Sequence, residues 1–462
     1  MGQKNLHTSF CERIRETHED ADAFLAAISS EPYLSVRING KKWADGNLED
    51  LGEKVPWCEN SYYLNDRPTF TLNPAFHAGS FYVQEASSMS YSMAINAIKD
   101  YLPPHPTCLD LCASPGGKTT LILSMLGDKS VVVANEYVRQ RAWILRENVA
   151  KWGYPSAIVT NRAPIDFATC GTKFDLIAVD APCSGEGMFR KDDTAVSEWT
   201  PQAAEDCATR QRSILDDVWP ALKVGGYMIY STCTFNPEEN GKNVHWIADE
   251  LGAEILTIPM PENVGITTIP IGEGEGYAFY PHKVKGEGFF VSLLKKTDDR
   301  YQIDTNSGKG KKRGAGKSEM KETELGRKYV SGCKTYIYEN EVSAFPADRA
   351  ATMKALTETL SPIWAGVPVC SVLTKRGENT ISPQPELPLS LNYVRESMPS
   401  VELDRQMALK FLHGDTDIPL QELPDGWIAI YYGKLGLGVI KKIGNRINNY
   451  YPKEWRIRMN VG

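Results

Sequence analysis

Between Thr107 and Lys296 the sequence alternates short β-branched runs with amphipathic stretches, and that alternation restricts the fold more than any other feature. The runs are Thr107–Leu111, Val131–Asn135, Ala157–Thr160, Leu176–Asp180 and Tyr227–Ser231. Helical stretches lie around Thr119–Leu126, Val138–Trp152, Gln202–Leu222 and Glu239–Leu251. The pattern predicts a doubly wound parallel sheet, a Rossmann-like α/β core. Two later apolar runs, Ala253–Ile258 and Gly288–Leu294, fit an antiparallel edge pair. Sheets of this kind bind ligands at the carboxyl ends of their strands, so the residues just past each run are the candidates for a site.

The alternation occupies less than half of the 462 residues, so further domains are expected. Residues 1–80 read as a separate small α/β segment punctuated by Pro32, Gly40, Gly46 and Gly52. Residues 301–322 are rich in Gly, Lys, Ser and Asn, the composition of a flexible basic linker. Residues 323–462 recover apolar content and become β-rich and basic from Gly426 to Arg458.

At 42% hydrophobic and 24% charged, the chain reads as soluble and globular. Its start is polar, with His18, Glu19 and Asp20, and no apolar run is long enough to span a bilayer, so no signal peptide or membrane role is expected. Ten cysteines without a C-x-x-C pair indicate neither a zinc site nor a disulfide framework, and the expected home is the reducing cytoplasm. No metal is expected. The net charge of -7 argues mildly against nucleic acid as a partner. Two stretches run the other way: Lys309–Lys321, and a C-terminal set of Lys434, Lys441, Lys442, Arg446, Lys453, Arg456 and Arg458 with aromatic residues interleaved.

After the first run comes Asp110-Leu-Cys112-Ala113-Ser114-Pro115-Gly116-Gly117-Lys118-Thr-Thr120, a strand end, a glycine turn and a helix start. The glycines let the backbone approach a ligand, and the helix start offers free N–H groups to a carboxylate or phosphate. Gly117-Lys118-Thr119 matches the end of a phosphate-binding P-loop, which keeps a nucleotide triphosphatase as an alternative. The match is incomplete, because Cys112 stands where that loop requires glycine and Pro115 removes an amide donor. S-adenosylmethionine fits better. Its methionine end would sit on the turn, and Glu136, directly after the second run, would take its ribose hydroxyls.

The fourth run ends Asp180-Ala-Pro-Cys183-Ser-Gly185 and the fifth ends Tyr230-Ser-Thr-Cys233-Thr-Phe235, so two cysteines fall at the ligand edge. Chemistry that needs a thiol here is methylation at carbon 5 of a pyrimidine. A thiolate adding to carbon 6 makes carbon 5 nucleophilic, a carboxyl such as Asp180 assists at ring nitrogen 3, and a base then removes the carbon-5 proton. Cys108, Cys170 and Cys207 read as packing residues.

At these residues the sequence resembles the Sun-type RNA cytosine-5 methyltransferases, and especially the RsmF group. The likeness rests on Leu34-Ser-Val-Arg-Ile-Asn39, Tyr82-Val-Gln-Glu-Ala-Ser-Ser-Met89, the Cys112–Lys118 loop, Asp180–Lys191, Ser231–Asn240 and Glu287-Gly-Phe-Phe-Val291. It implies an S-adenosylmethionine methyltransferase domain over residues 81–300. Residues 1–80 would bind or position RNA, and 323–462 would form a PUA-like RNA-binding extension. It also implies Cys233 as the nucleophile, Cys183 as the residue that helps release methylated RNA, and 16S rRNA or the assembling small subunit as substrate. A monomer is expected. Transfer RNA and a non-catalytic rRNA assembly factor stay as alternatives, the latter having no need of both thiols.

One departure concerns the adenine. After the third run the family has an Asp, whereas Thr160-Asn161-Arg162-Ala163-Pro164 stands here, with Asp166 out of register. Asn161 is the expected substitute. A chain ending near Asp298 is expected to fold by itself, leaving Tyr431, Tyr432, Tyr450, Tyr451 and Trp455 as RNA-stacking residues of the tail.

Overall fold

The computed structural model describes residues 4–44, 46–299, 319–375, 378–418 and 423–461. Two helices, Thr8–Thr17 and Ala21–Ile28, precede four strands: β1 (Ser35–Ile38), β2 (Leu51–Lys54), β3 (Ser61–Leu64) and β4 (Phe81–Val83). They form a sheet of order β2-β3-β1-β4, whose pairs β1–β3, β1–β4 and β2–β3 are antiparallel. The fourth strand therefore lies past residue 80. The two helices pack elsewhere. Phe10 and Phe24 join Phe189, Trp199, Phe235 and Tyr280 in an apolar cluster beside the central domain.

The central sheet contains β5 (Thr107–Asp110), β6 (Val131–Asn135), β7 (Ala157–Thr160), β8 (Phe174–Asp180) and β9 (Leu222–Thr232). These five run parallel in the order β7-β6-β5-β8-β9. Beyond β9 follow β10 (Ala253–Leu256), β11 (Thr267–Ile271), β12 (Gly274–Phe279) and β13 (Phe289–Lys296). Antiparallel β13 lies on β9 and also receives β10, the expected edge pair, with Ala253 opposite Lys296. The β-branched runs became strands because helices cover both faces, leaving β5, β6 and β7 buried throughout. The helix expected to reach Leu222 stops at Val218, since Pro220 lacks an amide donor and turns the chain into β9.

Residues 319–461 build two further sheets, of five and four strands among the described residues. Of the expected linker, residues 301–318 lie outside the described residues, and Lys321–Glu322 already pair with Ile337 and Tyr336. The short strand Trp364–Ala365 extends the central sheet by pairing antiparallel with β7, Trp364 opposite Val159. Arg146 meets Glu386 at 2.7 Å, and Leu391 N donates to Gly153 O. One apolar cluster holds Trp152, Trp364, Leu389, Phe411, Tyr451 and Trp455 together.

Two expectations fall with this docking. A chain ending near Asp298 would bare the β7 edge and the side of the shared core that residues from Trp364 to Ile457 cover, which argues against the central domain standing alone. The tail aromatics are also mostly core: Tyr431, Tyr451 and Trp455 are 4%, 2% and 6% exposed. Tyr450 stays exposed and Tyr432 half-buried. Aromatics between cations were packing under a basic surface. Among the described residues no helix is long and apolar enough to cross a membrane, and no cluster of possible metal ligands occurs.

The Lys42 ammonium end is enclosed by the carbonyls of Ala78, Lys151 and Leu389 at 2.9, 2.6 and 2.6 Å, one from each part of the chain. Burial lowers its pKa from 10.5 to about 7. Between those values the unfolded chain holds more protons than the folded one, so this lysine's contribution to stability rises with pH; below about 7 the fold bears the whole cost of the buried charge. The thermal midpoint of the wild type should therefore climb relative to that of Lys42→Met as pH goes from about 7 toward 10.5. A constant difference between the two midpoints across that window would mean that the three carbonyls hold the proton in place.

Candidate active site

The turn after β5 is shaped by backbone demands. Gly116 sits at φ +114°, where a Cβ is strained, and a Cβ on Gly117 would lie 3.3 Å from the Gln84 side chain. Beneath the turn Asp110 is fully buried, accepting from Thr119 Oγ1 at 2.5 Å while its other oxygen has no partner. Burial pushes its pKa up to about 7 against the pull of the Thr119 hydroxyl and Lys118. Arg37, inside β1, reaches the helix that follows the turn. Its guanidinium donates to Gln84 Oε1 at 3.0 Å, Gly117 O at 3.1 Å and Thr120 Oγ1 at 2.5 Å, and lies over Trp152.

A cavity of 310 Å³ opens over this turn. Cys112, Ala113, Ser114, Pro115, Gly117, Lys118, Asp180 and Cys233 all line it, so most of the expected residues meet there. Tyr82, Gln84 and Glu85 close one side, and Met188, Lys191 and Glu287–Phe289 another.

Lys118 runs inward to Asp180, Nζ to Oδ2 at 2.8 Å, and lies against the rings of Tyr91 and Phe289. Burial alone would lower its pKa, but Asp180, with Asp110, raises it, so the amine stays charged. Ser231 Oγ donates to Asp180 Oδ1 at 2.7 Å and is 2.9 Å from Tyr91 OH. A lysine so occupied is engaged by protein and not held out over the turn.

The Cys183 and Cys233 sulfurs are 3.2 Å apart. The hydrogen bond with Cys233, helped by burial, holds the Cys183 thiol well above its ordinary pKa. Glu239 ties the two turns together, accepting from Ser184 N at 2.9 Å, Ser184 Oγ at 2.5 Å and Gln211 Nε2 at 3.0 Å. Burial carries its pKa to about 7 despite the opposing donors from Ser184. Behind it Glu186 accepts from Phe235 N and pairs with Arg13 of the first helix.

Glu136 and Asn161 do not line the cavity. The Glu136 carboxylate is buried, accepts from Val138 N at 2.9 Å and faces Arg141 at 3.6 Å. Asn161 Nδ2 donates to the carbonyls of Glu136 and Tyr137 at 2.6 and 2.7 Å, fastening the ends of β6 and β7. Arg162 turns away to Leu360 O, and Asp166 caps its own helix at Ala163 N. Sequence reasoning missed Arg37, the Lys118–Asp180 pairing and Glu239. The last lies in the run Asn236-Pro-Glu-Glu-Asn240, where acids so close after a Cys turn were a usable signal.

Residues 101–295 match the family described as 16S rRNA methyltransferase RsmB/F. Residues 6–86 match the N-terminal domain of 16S rRNA methyltransferase RsmF, and 398–457 the methyltransferase RsmF PUA domain. Ribosomal RNA small subunit methyltransferase F of Photobacterium profundum is 30% identical over 475 residues, covering 96% of each chain. Its counterpart in Erwinia tasmaniensis is 28% identical over 479 residues, again 96% of each. Among solved structures, a methyltransferase homolog protein from Pyrococcus horikoshii is 26% identical with TM-score 0.53, covering 63% of this chain and 96% of that one. NSun6 from the same organism, solved with SFG, shares the fold at 20% identity and TM-score 0.54, over 64% of this chain and all of that one.

Because Arg37 ties both the Gly117 carbonyl and Thr120 back to β1, Arg37→Met should loosen the turn and cost about 3 kcal/mol, the scale of buried charge-assisted hydrogen bonds. Urea unfolding measures it, and an unchanged midpoint would show the guanidinium to be a passenger.

Proposed function

The chain belongs to the RsmB/F family of 16S rRNA methyltransferases, in its RsmF group, and on that premise we propose that it methylates carbon 5 of cytosine through covalent addition of Cys233. The supporting observation is the Cys233 thiol on the wall of a cavity bounded by the Lys118–Asp180 ion pair, with the Cys183 sulfur 3.2 Å behind it.

S-adenosylmethionine is the proposed cofactor, and the residues present fit its methionine end. The Cys112–Lys118 turn leaves space that a Cβ at Gly117 would invade, and the helix N-terminus supplies backbone donors for a carboxylate. Glu136 is the proposed partner of the ribose and Asn161 of the adenine edge; both would have to exchange present hydrogen bonds to serve. When bound, the cofactor supplies a methyl group made electrophilic by a sulfonium.

The Cys233 thiolate adds to carbon 6 of the base, forming the S–C6 bond and moving an electron pair toward carbon 5. A proton passed from Lys118 through Asp180 would reach ring nitrogen 3 as it takes up the displaced charge. After carbon 5 is methylated a general base takes the carbon-5 proton, and Lys118, left neutral by its earlier proton transfer, is the candidate amine on the cavity wall. The electron pair of that C–H bond re-forms the C5–C6 double bond, the S–C6 bond breaks and Cys233 leaves as thiolate. Cys183, whose burial and thiol neighbour keep it protonated, assists that release. RNA is the partner, with residues 1–80 positioning it, 81–300 performing the chemistry and the PUA-like part of 323–462 adding contacts through exposed Lys434, Arg446, Lys453 and Arg458. A cytoplasmic monomer completes the proposal. The relatives are named for the small ribosomal subunit, which favours 16S rRNA over transfer RNA.

Cys233→Ala should abolish transfer, whereas Cys183→Ala should leave addition intact and accumulate an RNA–protein adduct that survives denaturing gels. Adduct appearing with Cys233→Ala instead would reverse the two roles. Glu136→Ala should weaken cofactor binding by about 1.5–3 kcal/mol for each charge-assisted hydrogen bond to the ribose. Calorimetry showing no loss would remove Glu136 from the ribose.

A further inference from the structure

A methyltransferase acting at carbon 5 must tell cytosine from uracil, which differ at the exocyclic position of carbon 4. Cytosine offers an amino donor there, and uracil a carbonyl acceptor. A buried acceptor with lone pairs to spare is what separates them, because uracil would leave it unpaired.

Glu287 is such a group. It is 4% exposed and lines the same cavity as Cys233, Lys118 and Asp180, yet neither of its carboxylate oxygens has a hydrogen-bond partner within range. Its position follows from the sheet. Phe290 of β13 lies opposite Thr232 of β9, so the residues entering β13 run antiparallel beside Cys233 and Thr234. Gly187 N donates to Cys233 O, and a Cβ on Gly187 would lie 2.8 Å from Gly288 O and 2.9 Å from Cys233 O. The neighbour of Glu287 thus shares a wall with the nucleophile. A Cβ on Gly288 would strike the Phe235 ring at 2.3 Å, so this entry is fixed in path.

Burial raises the Glu287 pKa, and the cations beside it, Lys191 and Arg190, pull the other way without hydrogen-bonding the carboxylate. Arg190 Nη1 stands 3.6 Å away and Lys191 Nζ 3.8 Å, too far for hydrogen bonds. Arg190 spends its donors on the carbonyls of Ala27, Gly286 and Pro281. The Tyr33 amide faces the carboxylate from another side, and Glu85, whose Oε1 accepts from Glu287 N, adds a like charge. Asp180 is less suited to this task, since both its oxygens already accept, from Lys118 and Ser231.

We propose that Glu287 accepts a hydrogen bond from the exocyclic amino group of the target cytosine and thereby sets cytosine over uracil. This rests on the reading that the base enters beside Cys233. The test uses 16S rRNA transcribed with 5-fluorocytidine, or with 5-fluorouridine from a template in which the methylated cytidine is changed to uridine. Fluorine at carbon 5 cannot leave as a proton does, so the methylated base stays bonded to Cys233 and is counted as adduct on a denaturing gel.

Wild type should trap fluorocytidine RNA over fluorouridine RNA by at least about tenfold, the scale of a lost buried hydrogen bond. Glu287→Gln, whose amide can donate to a carbonyl, should bring that ratio toward unity while adenosylmethionine affinity by calorimetry changes less than about twofold. Glu287→Asp keeps an acceptor and should retain the preference at a lower rate, which guards against a merely structural effect. An unchanged ratio in folded Glu287→Gln overturns the proposal. So does a loss of cofactor affinity, which would assign the carboxylate to the methionine ammonium. No adduct with either RNA in wild type would instead sink the Cys233 reading and this inference with it.

Discussion

The Lys118–Asp180 ion pair fixes the relation of the turn after β5 to the two cysteine turns. Ion pairs out of water are costly unless the remaining donors and acceptors are satisfied. Here Ser231 takes the second Asp180 oxygen, Tyr91 stands behind Ser231, and the ammonium rests on two aromatic rings. Three strand ends are thereby held in one network: β5 through its following helix, β8 through Asp180 and β9 through Ser231. Because all three are parallel neighbours, their carboxyl ends open on the same side, and the network sits where their turns converge. Removing either charge would strand the other in a buried setting, so the pair serves geometry and chemistry at once.

A second constraint acts across the parts of the chain. The carbonyl at Lys151, near the end of the helix Arg139–Trp152, would be an orphan acceptor without Lys42. Arg37 does related work from the adjoining strand, reaching the Gly117 carbonyl. Both cations come from the N-terminal segment, and both end on backbone oxygens of the central domain. That segment is therefore a structural support of the cofactor turn as well as a candidate surface for RNA.

The central strands were legible because Val131-Val-Val-Ala and its counterparts are apolar on both faces, a pattern that only a covered parallel sheet accommodates. Both cysteines were legible for the same reason, being placed by the strand ends. The Trp364–Ala365 addition to β7 was not, since a two-residue strand carries no periodicity. The tail aromatics misled because alternation of cations with Tyr and Trp looks the same for a stacking surface and for a basic face over a core. Tyr450 and Tyr451, adjacent just past the final strand residue Asn449, take opposite fates, one exposed and one buried. Arg37 was hidden in a motif whose neighbours are apolar; nothing in the sequence reveals what a buried guanidinium will meet.

The C-terminal part and the N-terminal helices lie toward opposite ends of the central sheet, while the N-terminal strands and Lys42 touch the C-terminal part directly. The C-terminal part docks on the β7 edge, while Cys233 ends β9, and four strand spacings separate β7 from β9. At about 4.8 Å per spacing that is roughly 19 Å along the carboxyl edge. The N-terminal helices sit at the other end, where Arg13 meets Glu186 and Phe24 meets Phe235. A cytosine presented to Cys233 has left its stack, so its flanking nucleotides must be held while it is out. Under the proposed function, contacts from both ends of the sheet would hold an RNA on either side of the flipped base, which a single patch beside the cavity would not do. The C-terminal part docks on the far edge through a shared core instead of a free tether, so that span is set by packing, and on the proposed function a set span would let one folded RNA shape select one cytosine.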